Sequence, residues 1–284
     1  MKRANHRIIC ILAAVSLIIL IFAPMASGEQ KAWDCPECGR TGNTGNYCGG
    51  CAHPAPWIAQ PSAPELPAQD FRTIGNIVTF GRYEQDSDAT NGPEEIEWIV
   101  LDFDEKEQKA LLLSKYGLDA KPYNTEYMDI TWEQCSLRAW LNGVFLHTAF
   151  TSEEQSAILT TAVDNSSSQG YSQWQTDEGK NTQDQIFLLS YAEANRYLDV
   201  TDDINIKARV APTAYAVARG AYCSEIDQTF DGKPAGRWWL RSSGYRRNIA
   251  PVVFAGGSLS NYNVDRVQNV VRPAFWINLG SDIF

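Results

Sequence analysis

The chain has 284 residues and is acidic, with 34 Asp and Glu against 24 Lys and Arg for a net charge of −10. Phosphate backbones and anionic lipid repel such a chain, which excludes nucleic acid as a partner. At 44% hydrophobic and 11% aromatic residues it also has the apolar content that disordered chains lack, and beyond residue 70 it is long enough for one domain with a sizeable core.

The first element is an export segment. Lys2, Arg3 and Arg7 precede an uncharged apolar run over residues 8–23, and Pro24 ends it ahead of Ala26-Ser27-Gly28. A basic flank, an apolar core and small residues at the cleavage point make a signal peptide over residues 1–28, cut after Gly28. The run is somewhat short of the roughly 20 residues a bilayer span needs, and a retained membrane anchor is the alternative. In either case the basic flank stays in the cytoplasm and the remainder is extracytoplasmic, secreted or anchored at the outer face of the cytoplasmic membrane. Membrane contact is then confined to this segment, if it is not cleaved. Cys10, at the start of the run, reads as an apolar filler.

Residues 33–52 hold two C-x-x-C knuckles, Cys35-Pro36-Glu37-Cys38-Gly39 and Cys48-Gly49-Gly50-Cys51, separated by residues rich in Gly, Asn and Thr. Each knuckle offers two thiolates to one tetrahedral ion, and glycine lets the backbone turn around the sulfurs. The segment resembles the small bacterial zinc ribbons that begin C-P-x-C-G, which implies a structural zinc on Cys35, Cys38, Cys48 and Cys51. Two disulfides are the competing reading, since exported cysteines meet oxidising conditions. A piece this short has almost no core, so metal or disulfide must hold it. His53, two residues beyond, reads as a bystander. Over residues 53–70 proline recurs every few positions, which gives an extended, semi-rigid linker.

The main domain follows over residues 71–284. β-branched and aromatic runs at residues 74–80, 96–100 and 110–113, bounded by polar turns, predict an opening antiparallel meander. Three capping boxes predict helix starts: Thr131 with Gln134, Thr151 with Glu154, and Ser190 with Glu193. In the first helix Leu137, Trp140 and Leu141 share an apolar face, and Gly143 is placed to stop it. Residues 186–189 predict a short buried strand. Strands return at 238–240, 249–254 and 270–277, where Pro251 and Pro273 argue for sheet edges or bulges. Strands, then three short capped helices, then strands is an α+β order with a mainly antiparallel sheet.

Several motifs in this domain carry a resemblance. They are Phe80-Gly81-Arg82-Tyr83, Ile96-Glu97-Trp98, residues 111–116, Tyr123-Asn124, residues 132–142 and 150–154, Phe187-Leu188-Leu189-Ser190, Trp238-Trp239-Leu240-Arg241-Ser242 and Val271-Arg272-Pro273-Ala274. Through them residues 75–279 resemble the bacterial family known as domain of unknown function 6273, a name that implies no activity. More remotely, the closing W-W-L-R, V-V-F, Gly256-Gly257 and V-R-P-A series is similar to the last strands of C-type-lectin-like domains, including the sulfatase-modifying, formylglycine-generating group. That similarity implies a C-type-lectin-like fold.

The residues argue against most catalytic constellations. His147 is the domain's one histidine, lies beside Leu146 and Phe150, and has no G-x-S-x-G partner in sequence. Cys135 and Cys223 lack a recognisable copy of the paired-cysteine site of the formylglycine-generating enzymes; they read as structural thiols, or as one disulfide if their positions permit. Asp86, Asp88, Thr90 and Glu97 fall near calcium-loop offsets, but Gly92 is one place late and strands flank the loop. The E-P-N and W-N-D calcium signatures of lectins are absent, and no phosphate-binding glycine loop precedes a helix.

What remains is aromatic and polar. Trp238 and Trp239 read as core because large aromatics inside strands are usually buried, and Arg241 and Arg272 read as internal bridges to carboxylates. Tyr245, Arg246 and Arg247 in one stretch, and Asn261, Tyr262, Asn263 and Asp265 in another, are the predicted ligand-binding residues, because turns present polar groups and flat rings outward. The sequence therefore predicts an exported, non-catalytic recognition module at the cell envelope that binds a glycan or protein ligand. The alternative is an envelope enzyme, either a sulfatase-modifying-factor-like oxidase or a hydrolase using carboxylates.

Overall fold

The computed structural model describes residues 32–35, 39–44, 69–174, 176–201 and 205–284. The chain divides into a unit over Met1–Leu66 and a second over Pro67–Phe284. The export segment, the linker through residue 68, and Cys38, Cys48 and Cys51 lie outside the described residues. No helix among those described is long and apolar enough to cross a membrane.

In the first unit Trp33 and Asn43 form an antiparallel bridge. Cys35 is buried. Its N–H donates to Arg40 O at 2.9 Å, and Gly39, at φ +69°, donates to Cys35 O at 3.0 Å. Glycine occupies the left-handed turn after the first knuckle at no steric cost.

The second unit is α+β and mainly antiparallel. Strands β1 (Ile77–Tyr83), β2 (Glu94–Asp104) and β3 (Lys109–Ser114) form the opening meander. The chain then gives β4 (Asp119–Ala120), helices α1 (Ser136–Trp140), α2 (Leu146–Ala149) and α3 (Ser152–Ala157), strands β5 (Thr161–Val163) and β6 (Thr182–Asp184), and helices α4 (Tyr191–Leu198) and α5 (Ala214–Ala218). It closes with β7 (Trp238–Trp239), β8 (Ile249–Val253), β9 (Leu259–Asn263), β10 (Val270–Val271) and β11 (Ala274–Asn278). Two larger sheets result, ordered β1-β2-β3-β11 and β4-β10-β7-β8-β9, beside a β5-β6 pair. Val271-Arg272-Pro273-Ala274 carries the chain from the second sheet to the first. Pro273 cannot donate, and it falls at the break between β10 and β11, where its carbonyl accepts from Ser114 N at 2.9 Å.

Aromatic packing builds the first sheet's core. Trp98 meets Phe275 edge-on at 4.7 Å, and its Nε1–H donates to Phe80 O at 2.7 Å. At the break in the β1–β2 register Gly81 adopts φ +70°, and a Cβ there would lie 2.5 Å from the Phe150 ring. Only glycine fits that bulge. Trp238 and Trp239 are fully buried, with their indole N–H groups on Ala208 O and Lys121 O.

The structure departs from the sequence reading at several elements. The capping boxes at Thr151 and Ser190 form, but the first helix begins four residues later than its box, with Cys135 as N-cap accepting from Arg138 N at 3.4 Å. Thr131 instead closes a turn, its carbonyl receiving Gln134 N and Cys135 N. Gly143 does not stop the helix. A π-helical turn over Leu141–Phe145 joins α1 to α2 and buries Leu141, Phe145, Leu146 and Ala149, a gain that exceeds glycine's cost of about 1 kcal/mol in a helix. Residues 186–189 are buried but have only one bridge, Phe187 with Ala274. Pro251 is not on an edge, since β8 lies between β7 and β9. Leu240 N donates to Pro251 O just past the two-residue β7 ladder, so the missing proline N–H falls where β7 has ended.

Candidate functional site

The motifs that make the sequence recognisable face inward and satisfy one another. Asp184 is buried at the end of β6 and accepts three hydrogen bonds: from Trp132 Nε1 at 2.9 Å, Arg138 Nε at 2.6 Å and Thr182 Oγ1 at 2.7 Å. Asn142 on the π turn accepts from Gln185 N and Ile186 N and donates to Ile186 O at 2.8 Å. Arg241, following β7, uses all five of its donors: two on the Glu193 carboxylate, the others on Leu188 O, Asp164 O and Asn165 Oδ1. Glu193 also completes the Ser190 capping box, so one carboxylate fixes a helix start and a buried cation. Such groups are consumed by the scaffold.

Arg272 is the exception. It is 1% exposed, its Nε donates to Ser114 O at 2.9 Å, and its guanidinium lies 5.0 Å from the Trp238 ring. No carboxylate pairs with it among the described residues, Nη1 has no partner, and burial draws its pKa down to about 9. The expected carboxylate bridge forms at Arg241 and not at Arg272.

The nucleophile candidates are poorly placed for chemistry. Cys135 is buried, which pushes its thiol up to about 12, and burial also raises Cys223. The two are not bridged. His147 is exposed, with Nδ1 at 2.7 Å from Gly143 O of its own helix. Of the calcium-loop candidates, Glu97 lies within β2 and pairs with Lys115 Nζ at 3.0 Å. Glu84, Asp86 and Glu94 gather instead, and their oxygens receive the N–H groups of Ser87, Asp88 and Gln85. The cluster closes a turn.

The predicted ligand residues separate into two places. The stretch after β7 forms a turn at one end of β8, where Gly244 O accepts from Thr176 Oγ1 at 2.7 Å and Ser243 N donates to Glu178 Oε2 at 2.9 Å. Tyr245 is 46% exposed and 6.4 Å from the Trp174 ring; Trp174 in turn meets Tyr171, and Tyr171 meets Tyr191, each at 5.2 Å and edge-on. Four rings thus run from the turn to the start of α4. Arg247 Nη2 lies 3.4 Å from Asp177, and Arg246 lies 5.5 Å from the Tyr245 ring. Glu178, next to Asp177 in the chain, is buried, which raises its pKa. Tyr171 and Trp174 escape sequence reasoning because the segment has no period; two aromatics within a Gly-, Ser- and Gln-rich stretch are the one signal that could have marked them.

Asn261, Tyr262 and Asn263 are not in a turn. They form the second half of β9, paired with Pro251, Ala250 and Ile249, and the turn is at Ala255-Gly256-Gly257. Tyr262 lies parallel to Phe254 at 6.5 Å, and Arg237 lies 5.0 Å from its ring. Asp265 is exposed beyond the strand end, where Val264 N reaches Asn248 O at 3.1 Å. Through that bond this end of β9 meets the stretch that holds Tyr245.

Residues 107–279 match the family model described as Domain of unknown function (DUF6273). The match begins later than the motifs around Phe80 and covers more than half of the chain, which therefore belongs to that family. No curated protein and no solved structure matches it.

Proposed function

We propose that this member of the domain of unknown function 6273 family is an exported, non-catalytic recognition module of the bacterial cell envelope. Its ligand is a glycan or a protein segment, taken at the surface of Tyr171, Trp174, Tyr191 and Tyr245. The chain of four rings ending on exposed Tyr245, rimmed by Arg246, Arg247 and Asp177, carries this reading. Ring faces stack on flat or apolar ligand surfaces while charged and amide groups fix orientation. The export segment delivers the chain, Cys35, Cys38, Cys48 and Cys51 hold a structural zinc, and the proline-rich linker spaces this ribbon from a C-type-lectin-like domain. One observation favours the enzyme alternative: Glu178 has a raised pKa close to Ser243. Its carboxylate, however, receives a backbone N–H there, as a group holding a loop does.

Titration of the chain lacking residues 1–28 with soluble peptidoglycan fragments tests the reading. Trp174→Ala and Tyr245→Ala are each expected to weaken binding about 2- to 10-fold, the equivalent of an aromatic contact worth about 0.5–1.5 kcal/mol, with little change in melting temperature. Binding unaffected by both variants would remove the ligand from this surface. Elemental analysis should find one zinc per chain; four ribbon cysteines in disulfides by mass spectrometry would refute the metal assignment.

A further inference from the structure

The five-stranded sheet ends on β9, and among the described residues part of its outer edge has no backbone partner. Phe254 N donates to Ser258 O at 2.8 Å and Val264 N to Asn248 O at 3.1 Å, on either side of the β8–β9 ladder. These bonds set the alternation: Ser260 and Tyr262 turn their backbone groups toward β8, while Leu259, Asn261 and Asn263 turn theirs outward. Leu259 N is used by Val200 O at 2.9 Å, and Asn263 O by Arg266 N at 3.1 Å. Among the described residues the N–H and C=O of Asn261 and the N–H of Asn263 have no hydrogen-bond partner. Proteins commonly protect such an edge with lysine, proline or a bulge. The β9 sequence, Leu259-Ser260-Asn261-Tyr262-Asn263, has none of these, and all five residues are partly buried, none fully so.

Two strands inward, just ahead of β7 and against the ring of Tyr262, is a cation without a carboxylate partner among the described residues. The Arg237 guanidinium lies 3.6 Å from the Tyr222 ring, 4.7 Å from Phe254 and 5.0 Å from Tyr262. Its Nε is buried with no partner. Arg138, Arg196, Arg209, Arg219, Arg241 and Arg247 each meet a carboxylate, whereas Arg237 meets none among the described residues, in a chain with an excess of acids. Three rings hold the guanidinium plane, so little side-chain freedom is left to lose when its N–H fork receives an anion.

We propose that the outer edge of β9 and Arg237 form a docking site for an extended peptide segment bearing a carboxylate side chain. The peptide adds as a sixth strand about 4.8 Å beyond β9, pairs its backbone with Asn261 and Asn263, and directs its carboxylate across Tyr262 to the Arg237 fork. The backbone of the edge supplies affinity for any extended chain. Arg237 selects the acidic one.

The test uses the full chain lacking residues 1–28 and an array of heptapeptides of alternating Thr and Val, with one Glu stepped through every position and a twin array carrying Gln. Members with Glu should bind at least about 10-fold more tightly than their Gln twins, the lower range for a charge-assisted pair. Asn261→Pro removes an outward N–H without touching the β8 ladder, and should abolish binding of both arrays at unchanged melting temperature. Asn263→Pro serves the same purpose if Asn261→Pro unfolds the strand. Arg237→Met should bring the Glu peptides down to the affinity of their twins, while Trp174→Ala should change nothing, which separates this site from the Tyr245 surface. No bound member in either array, or binding that survives both proline variants, overturns the proposal. Concentration-dependent dimerisation in sedimentation that Asn261→Pro abolishes would also overturn it, by making a second copy of the chain the occupant.

Discussion

Replacing Asp184 with alanine should be among the most damaging single changes on the domain, although Asp184 touches no surface. Its carboxylate is the shared acceptor of Trp132, Arg138 and Thr182. Removal leaves the buried Trp132 N–H without a partner, at a cost of about 1–3 kcal/mol. It also breaks the ion pair to Arg138, for which loss of one buried partner costs about 3–5 kcal/mol. That second figure must be reduced, because the Arg138 side chain is 25% exposed and retains Glu133 O at 2.9 Å. The Thr182 hydroxyl can rotate to another acceptor and adds little. A net loss of about 3–4 kcal/mol is expected, a large share of the roughly 5–15 kcal/mol that holds a typical domain folded. For a domain of this size the melting temperature should fall by roughly 6–16 °C. Urea unfolding followed by tryptophan fluorescence measures the loss, and a cycle with Trp132→Phe isolates the share that belongs to the indole N–H. In the Trp132→Phe background no indole N–H is orphaned, so Asp184→Ala should cost about 1–2 kcal/mol less than in the parent. A loss below about 1 kcal/mol, or a cycle without coupling, would refute the reasoning that this cluster locks the first helix to β6.

Two further outcomes follow from buried charge. Arg272→Met should be within about 1 kcal/mol of the parent at pH 7, or more stable, because among the described residues the cation has one carbonyl, a ring face and no carboxylate to offset its desolvation. A loss above about 3 kcal/mol in chemical unfolding would show that Arg272 is anchored by an anion. Burial raises the Glu178 pKa above its ordinary 4.5, so the folded state binds this proton more tightly than the unfolded chain and stability is lost as pH rises through that window. Glu178→Gln, which keeps an acceptor for Ser243 N, should therefore melt higher than the parent at pH 7 and converge with it below pH 4.5; a difference that does not change with pH would contradict the assignment.

The parts of the fold that were legible in sequence are those whose cause is local. The capping boxes at Thr151 and Ser190 need only four residues each, and the opening meander needs only alternation between turns. Where the sequence misleads, a distant partner has decided. Thr131 and Gln134 have a helix-start pattern, but the bond from Trp132 to Asp184, fifty-two positions away, holds that turn outside the helix. Gly143 has a stop signal, yet the apolar residues on both sides of it have a core to enter. Asn261, Tyr262 and Asn263 look like turn chemistry, but β8 supplies a ladder that converts them to strand.

The candidate site divides along the same line. Motifs such as Trp132, Arg138, Asp184 and Arg241 are conspicuous because their side chains must find one another across the domain, and that requirement commits them to the interior. Residues left to face solvent are under no such constraint and have no period: Tyr171 and Trp174 sit in a polar stretch, and Arg237 precedes the two buried tryptophans of β7 with nothing in the sequence to show that it meets no carboxylate among the described residues. In this chain the motifs that carry the resemblance thus describe what the fold satisfies internally. The proposed ligand surfaces therefore lie in the segments between them, at the four rings and at the edge of β9.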